Sequence, residues 1–248
     1  MKIIAIDSSG LVATVAVATD ETVIAEYTVN YKKTHSQTLL PMLDEIKKMT
    51  ELDLGSIDAI AIAAGPGSFT GLRIGSATAK GLGLALDKPL IEVPTTAALA
   101  MNMWGTRDLI CPIMDARRNQ VYTGFYGFDE EGLQVVVKDQ FADDIGAVVS
   151  MINDIGRPVV FLGDGVPVYH DAILAKITVP VRFAPANMNR QRAASLAVLA
   201  IEYMKEGKTV SAADHKPDYL RVSQAEREMS RSQSDRDAAT SQSDVGCK

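Results

Sequence analysis

At 248 residues the chain is long enough for one large domain or two small ones, with a buried core in either case. Apolar residues make up 47% and charged residues 23%, the balance of an ordinary soluble globular protein, and 6% aromatics leave a core of aliphatic side chains and alanine. A net charge of −6 argues against a protein that grips nucleic acid alone over a broad basic face, because neutralising phosphates takes clustered Lys and Arg.

The opening MKIIAIDSSG has too short an apolar run for a signal peptide before Asp7 interrupts it. No stretch approaches the ~20 apolar residues that span a bilayer, so a cytoplasmic location is expected. Residues 2–7 read as a buried strand. Residues 11–18 and 22–29 alternate well enough to be two more, split by a turn at Asp20-Glu21, which suggests an antiparallel meander. In THSQTLLPMLDEIKKM, Leu39, Leu43 and Ile46 fall at helical spacing, and Lys47 and Lys48 suit the C-terminal end of the helix dipole. Pro41 is tolerated in the first turn if Thr38 is the cap; otherwise it kinks the helix.

Residues 57–63 make another buried strand, 69–86 a second helix, 90–93 a short strand and 95–104 a third helix. The pattern then partly recurs. Strand candidates at 110–116, 121–128 and 133–139 precede a helix at 142–152, a strand at 159–163 and a helix at 166–177. This second βββαβα half suggests an internal structural duplication without clear sequence identity. A last helix at 190–207 sets Leu196, Leu199, Ala200 and Tyr203 on one face and ends at Gly207. Beyond about Leu220 the composition turns to Ser, Gln, Arg, Asp and Glu with no apolar face, so residues 222–248 read as a disordered tail.

The segment AIAAGPGSFTGLRIGSATAKGLGLAL has the layout of a phosphate-cradling loop: strand, glycine turn, helix. It fits neither known signature. Five residues separate Gly65 from Gly71, with Leu72 where a P-loop has lysine. Gly65 and Gly67 begin a G-x-G-x-x-G pattern whose last glycine is replaced by Thr70. What survives is a possible nest of backbone N–H groups over Gly67–Thr70, able to hold an anion weakly, or else a tight turn that needs glycine dihedrals. Asp7-Ser8-Ser9-Gly10 and Gly163-Asp164-Gly165, each after a strand, carry the same two readings. The vestigial phosphate-loop candidates are therefore Asp7, Ser8, Gly65, Gly67, Ser68, Gly163, Asp164 and Gly165. Asp115-Ala116-Arg117-Arg118 could bind an anion or form a solvated turn.

Gly71, Gly75, Ala79 and Gly83 recur every four residues along the second helix. A glycine in a helix costs ~1 kcal/mol, so the repeat needs compensating close packing, against the chain's own sheet or against another molecule. Three widely spaced histidines, His35, His170 and His215, form no H-x-x-x-H pair. Cys111 and Cys247 form no disulfide framework, and Ser8 and Ser68 have no recognisable base. No metal site and no catalytic residue is expected.

With MKIIAIDSS, THSQTLLPMLDEI, AGPGSFTGLRIGSATAKGL, PIMDARRNQVY, FLGDG and PDYLR in order, the chain resembles the bacterial TsaB (YeaZ-type) family over about residues 1–221. The resemblance implies an α/β fold of actin/Hsp70/sugar-kinase (ASKHA, ribonuclease H-like) type. Its parts would be an N-terminal lobe over 1–104, a C-terminal lobe over 105–189, and a helix over 190–221 returning to the first lobe. It implies a role in making N6-threonylcarbamoyladenosine (t6A) beside the anticodon of tRNAs that read codons starting with A. The chain would be the non-catalytic partner of the paralogue TsaD, joined by the ATPase TsaE, and a homodimer when alone. No cofactor is implied beyond weak ATP or ADP binding.

Catalytic paralogues carry a histidine pair for metal where this chain reads LIEVPTTAALA, with Val93-Pro94-Thr95-Thr96. In the family the helices at 36–49 and 69–86 build the partner contact, so Leu39, Leu43, Ile46, Gly71, Leu72, Gly75, Ala79 and Gly83 are the expected interface. On that basis Gly75→Arg or Ala79→Arg should abolish assembly and leave the fold largely intact. Two other readings are an autonomous ASKHA ATPase or phosphotransferase, disfavoured by the broken phosphate signatures, and a metallopeptidase, disfavoured by the missing histidine pair.

Overall fold

A computed structural model describes residues 1–31 and 34–220. In the first half the order is β1 (Lys2–Asp7), β2 (Ala13–Thr19), β3 (Val23–Val29), α1 (His35–Thr50), β4 (Ala59–Gly65), α2 (Phe69–Leu86), β5 (Leu90–Pro94) and α3 (Thr95–Ala100). The second half runs β6 (Leu109–Asp115), β7 (Gln120–Phe128), β8 (Gln134–Asp144), α4 (Ile145–Ile155), β9 (Val159–Leu162), α5 (Val166–Leu174), β10 (Val181–Phe183) and α6 (Ala193–Lys205).

Each half builds a five-stranded sheet of the same order, β3-β2-β1-β4-β5 and β8-β7-β6-β9-β10. In both, the first three strands form an antiparallel meander and the last two add in parallel. The duplicated topology is that of the ASKHA architecture.

Side-chain alternation sets the layers. On β1, Ile4 and Ile6 join Val15, Val17, Ile60 and Ile62 on the face that meets Leu39, Leu43 and Ile46 of α1 and Ala79 of α2. Ile3 and Ala5 take the other face with Ala16, Ala18, Ala59, Ala61 and Ala63. That alanine-rich face receives α6 through Leu196 and Ala200, and its cluster continues into the second lobe at Ile110, Tyr126 and Leu162. Small residues there let helices sit close between the sheets. A third cluster fills the outer side of the second lobe, with Phe125, Phe161 and Val148 at its centre.

Four elements differ from the pattern read off the sequence. Helix α1 starts at His35 with Thr34 as cap, so Pro41 lies in the second turn, on the exposed side, and the Gln37 carbonyl loses its helical donor. Strand β8 continues to Asp144, whose carboxylate accepts from Gly146 N at 2.8 Å and starts α4 there. Helix α3 ends at Ala100, and residues 101–103 tighten into a 3₁₀ turn. The three-residue β10 has too short a run to announce itself. The expectation of disorder for 222–248 lies outside the described residues.

Candidate functional site

The end of β1, the turn after β4 and the start of α2 meet at one point. Ser9 O accepts from Ser68 N at 2.7 Å, and Ser8 Oγ donates to Gly71 O at 2.9 Å. Ser68 caps α2 by accepting from Gly71 N at 3.3 Å. A Cβ on Gly67, Gly71 or Gly75 would fall well inside 3.0 Å of Ser9 O, Ser8 O or Ser8 Oγ respectively. These glycines therefore bring the helix onto the strand. Asp7, Ser8, Gly65, Gly67 and Ser68 do come together, but the Ser68 amide faces the chain's own carbonyl.

Asp7 is buried, and its Oδ1 accepts from both Ser9 N (2.8 Å) and Ser9 Oγ (2.6 Å). Burial outweighs those bonds and pushes its carboxyl up to about 6. An enclosed carboxyl whose oxygen is already bonded to Ser9 is poorly suited to holding a metal–phosphate complex.

The second lobe repeats the device. Gly165 N donates to Ile113 O at 3.0 Å, and a Cβ on Gly163, at φ +110°, would overlap that same carbonyl. Asp164 Oδ1 accepts from Asp115 N at 3.2 Å, and burial raises its pKa. The adjoining turn places Arg117, Arg118 and Asn119 all in left-handed backbone, at φ 66°, 57° and 60°.

The expected interface residues need correction. Leu39, Leu43, Ile46, Gly71, Leu72, Gly75, Ala79 and Gly83 are all buried in the first lobe. The stripe packs inward: Gly75 lies against Ser8 and Ile62, Gly83 against Ala212 and Leu90. A second small-residue stripe runs along the outer side of α2 at Ala77, Gly81 and Ala85, all exposed, beside Leu84 at 67% exposure. A Cβ on Gly81 would meet none of the described residues beyond its own helix within 4 Å. Leu40 of α1 is exposed at 52%. Spacing alone could not choose between the two stripes, because both recur every four residues.

The structure also gathers a constellation the sequence could not show. His215 is buried, with Nε2 2.8 Å from Ser76 Oγ and Nδ1 2.5 Å from Glu92 Oε1. The order matches a Ser–His–acid relay, but Ser76 is itself buried in mid-helix, so the group ties chain segments together. His35 binds Gly10 O through Nε2, and His170 lies against Phe183. Among the described residues no group of three or more His, Cys, Asp or Glu is placed to hold a metal. At the start of α3, Thr96 Oγ1 bonds Tyr126 OH at 2.7 Å. Cys111 is buried beside Thr123, its thiol pushed up to about 12 by burial. No described helix is long and apolar enough to cross a membrane.

Two ASKHA lobes with an inward-bonded glycine turn define the class, and residues 22–229 match the family described as TsaD, tRNA N6-adenosine threonylcarbamoyltransferase. Within that class the chain belongs to the TsaB (YeaZ-type) family of tRNA threonylcarbamoyladenosine biosynthesis proteins. It is 36% identical to TsaB of Bacillus subtilis (strain 168), covering 94% of this chain and 100% of the relative. Against TsaB of Escherichia coli (strain K12) the identity is 31%, over 89% and 95% of the two chains. The solved structure of YeaZ from Pseudomonas aeruginosa superposes with a TM-score of 0.74 at 25% identity, covering 88% of this chain and 100% of that one.

Proposed function

We propose that the chain is a non-catalytic scaffold and activator in the complex that transfers threonylcarbamoyl from its adenylate to tRNA. It would bind the catalytic paralogue TsaD, work alongside the ATPase TsaE, and pair with itself when alone. The observation that carries this reading is the contrast between the two sides of α2. The inner glycines are required by contacts with Ser8 and Ile62, whereas a Cβ on Gly81 would meet none of the described residues beyond its own helix within 4 Å. A mid-helix glycine costs ~1 kcal/mol, and one with no internal purpose is accounted for by a second backbone approaching from outside.

Activation then follows from linkage. A partner that binds only the competent state of the catalytic subunit stabilises that state by its own binding energy. This chain would need no tightly held nucleotide to do so, and its turn offers little to one: Ser68 N is bonded to Ser9 O, and Asp7 is enclosed. The test is reconstitution of tRNA modification with purified components. Omitting this chain should abolish or strongly reduce threonylcarbamoyl transfer while leaving synthesis of the adenylate unchanged. Full transfer without it, or transfer by this chain alone, would refute the reading.

A further inference from the structure

After α6 the chain turns back and runs along the first lobe to the glycine turn. Val210 and Leu90 exchange both backbone hydrogen bonds at 2.9 Å, an isolated bridge at the first residue of β5. Ala212 is buried against Gly83. Lys80 Nζ holds the carbonyls of Ala213 (3.0 Å) and His215 (3.1 Å). The His215 ring is bolted between Ser76 of α2 and Glu92 of β5. Farther on, Asp218 N donates to Ala64 O at 2.7 Å, and Asp218 O occupies the space where a Cβ on Gly65 would be. Gln140, from β8 of the other lobe, donates to Asp218 Oδ2 at 2.8 Å. Next along the strap comes Tyr219, whose ring centroid is 5.0 Å from that of Phe69.

That last contact reaches the outside of α2. The guanidinium of Arg73 lies 4.0 Å above the Phe69 ring, and Arg73 is the exposed residue one turn before Ala77. One stack, Arg73–Phe69–Tyr219, thus belongs both to the strap and to the outer face of the helix.

We propose that residues 208–220 are a latch coupled to that face: seating of the strap and docking of the partner on α2 favour each other. The inference rests on the docking reading above. A seated strap fixes Phe69, which fixes Arg73 at the head of the Ala77–Gly81 stripe. It also ties Gln140 to the glycine turn, so the relation between the lobes is held by the same segment. Coupling of this kind is reciprocal: whatever factor the strap adds to partner affinity, the partner adds to seating of the strap.

The experiment uses the full chain and the purified catalytic paralogue. Amide hydrogen exchange is followed at Asp218 and Val210, whose N–H groups bond only when the strap is seated, and paralogue affinity is measured by titration. Tyr219→Ala, which removes one ring from the stack, should weaken paralogue binding about three- to tenfold and speed exchange at Asp218. Paralogue added to the unaltered chain should slow Asp218 exchange by a matching factor. His215→Gln tests the bolt by freeing Val210 as well; should that variant fail to fold, Tyr219→Ala decides alone. Unchanged affinity in Tyr219→Ala, or Asp218 exchange indifferent to the paralogue, overturns the latch while leaving the docking reading in place. An unaltered chain that does not bind the paralogue overturns the docking reading and the coupling with it.

Discussion

The side-chain oxygen of Ser8 stands where a Cβ on Gly75 would have to go, while the same atom on Gly81, six residues along the same helix, would meet none of the described residues beyond its own helix within 4 Å. One helix thus carries two glycines for opposite reasons. Gly75→Ala should destabilise the isolated chain by roughly 1–3 kcal/mol, because Ser8 and Ile62 must both give way. Gly81→Ala should stabilise it by about 1 kcal/mol through helix propensity alone. Denaturant unfolding of the two variants checks the pair, and a loss of stability in Gly81→Ala would show that the outer face is not free.

Assembly should respond in the reverse order. Gly81→Arg and Ala77→Arg put a long charged side chain on an exposed stripe, so the fold should survive and co-purification with the catalytic paralogue should be lost. Gly75→Arg, which the periodicity of the sequence would have nominated as the interface variant, should instead yield misfolded chain, since its neighbours are Ser8 and Ile62. Soluble, folded Gly75→Arg that merely fails to bind would contradict this assignment of the two faces.

Much of the fold was legible because alternation and helical spacing are local. The strands at β1 and β4, helix α2 to the residue and the βββαβα repeat of each half all follow from period and punctuation. Facing was harder to read. Gly71, Gly75, Ala79 and Gly83 sit four apart, and so do Ala77, Gly81 and Ala85; which stripe looks inward depends on where Ser8 arrives from β1, and composition does not carry that. The Ser76–His215–Glu92 group was beyond reach for the same reason: 139 residues separate Ser76 from His215, and only the return of the strap brings them together. Pro41 left the start of α1 open because Thr38 and Thr34 are both good cap residue types, and the one that starts the helix makes no side-chain cap bond.

The hairpin between β6 and β7 offers a stability test away from any partner. Arg118 sits at φ 57°, between Arg117 and Asn119, which are also left-handed. A non-glycine residue held there costs roughly 1 kcal/mol, and the Arg118 side chain is exposed. Arg118→Gly should therefore raise the midpoint of unfolding by up to about 1 kcal/mol equivalent, less the extra entropy of glycine in the unfolded chain. A clear drop in stability would mean that the arginine side chain itself holds the turn.

Asp7 gives a pH signature with a definite sign. Its ordinary value of 3.8 applies to the unfolded chain, and burial raises it to about 6 in the folded one. Between those values the native state holds a proton that the unfolded state has released, so this group's contribution to stability falls as pH rises from about 4 to about 6, then levels off. The cost at neutral pH is about 3 kcal/mol. Asp7→Asn keeps the shape and an oxygen to accept from Ser9 while removing the charge. The stability difference, variant minus unaltered chain, should grow across that interval and stay constant above it. Urea unfolding at a series of pH values from 4 to 8 measures it, and parallel curves for the two proteins would show that Asp7 is not held in the enclosed, desolvated setting described.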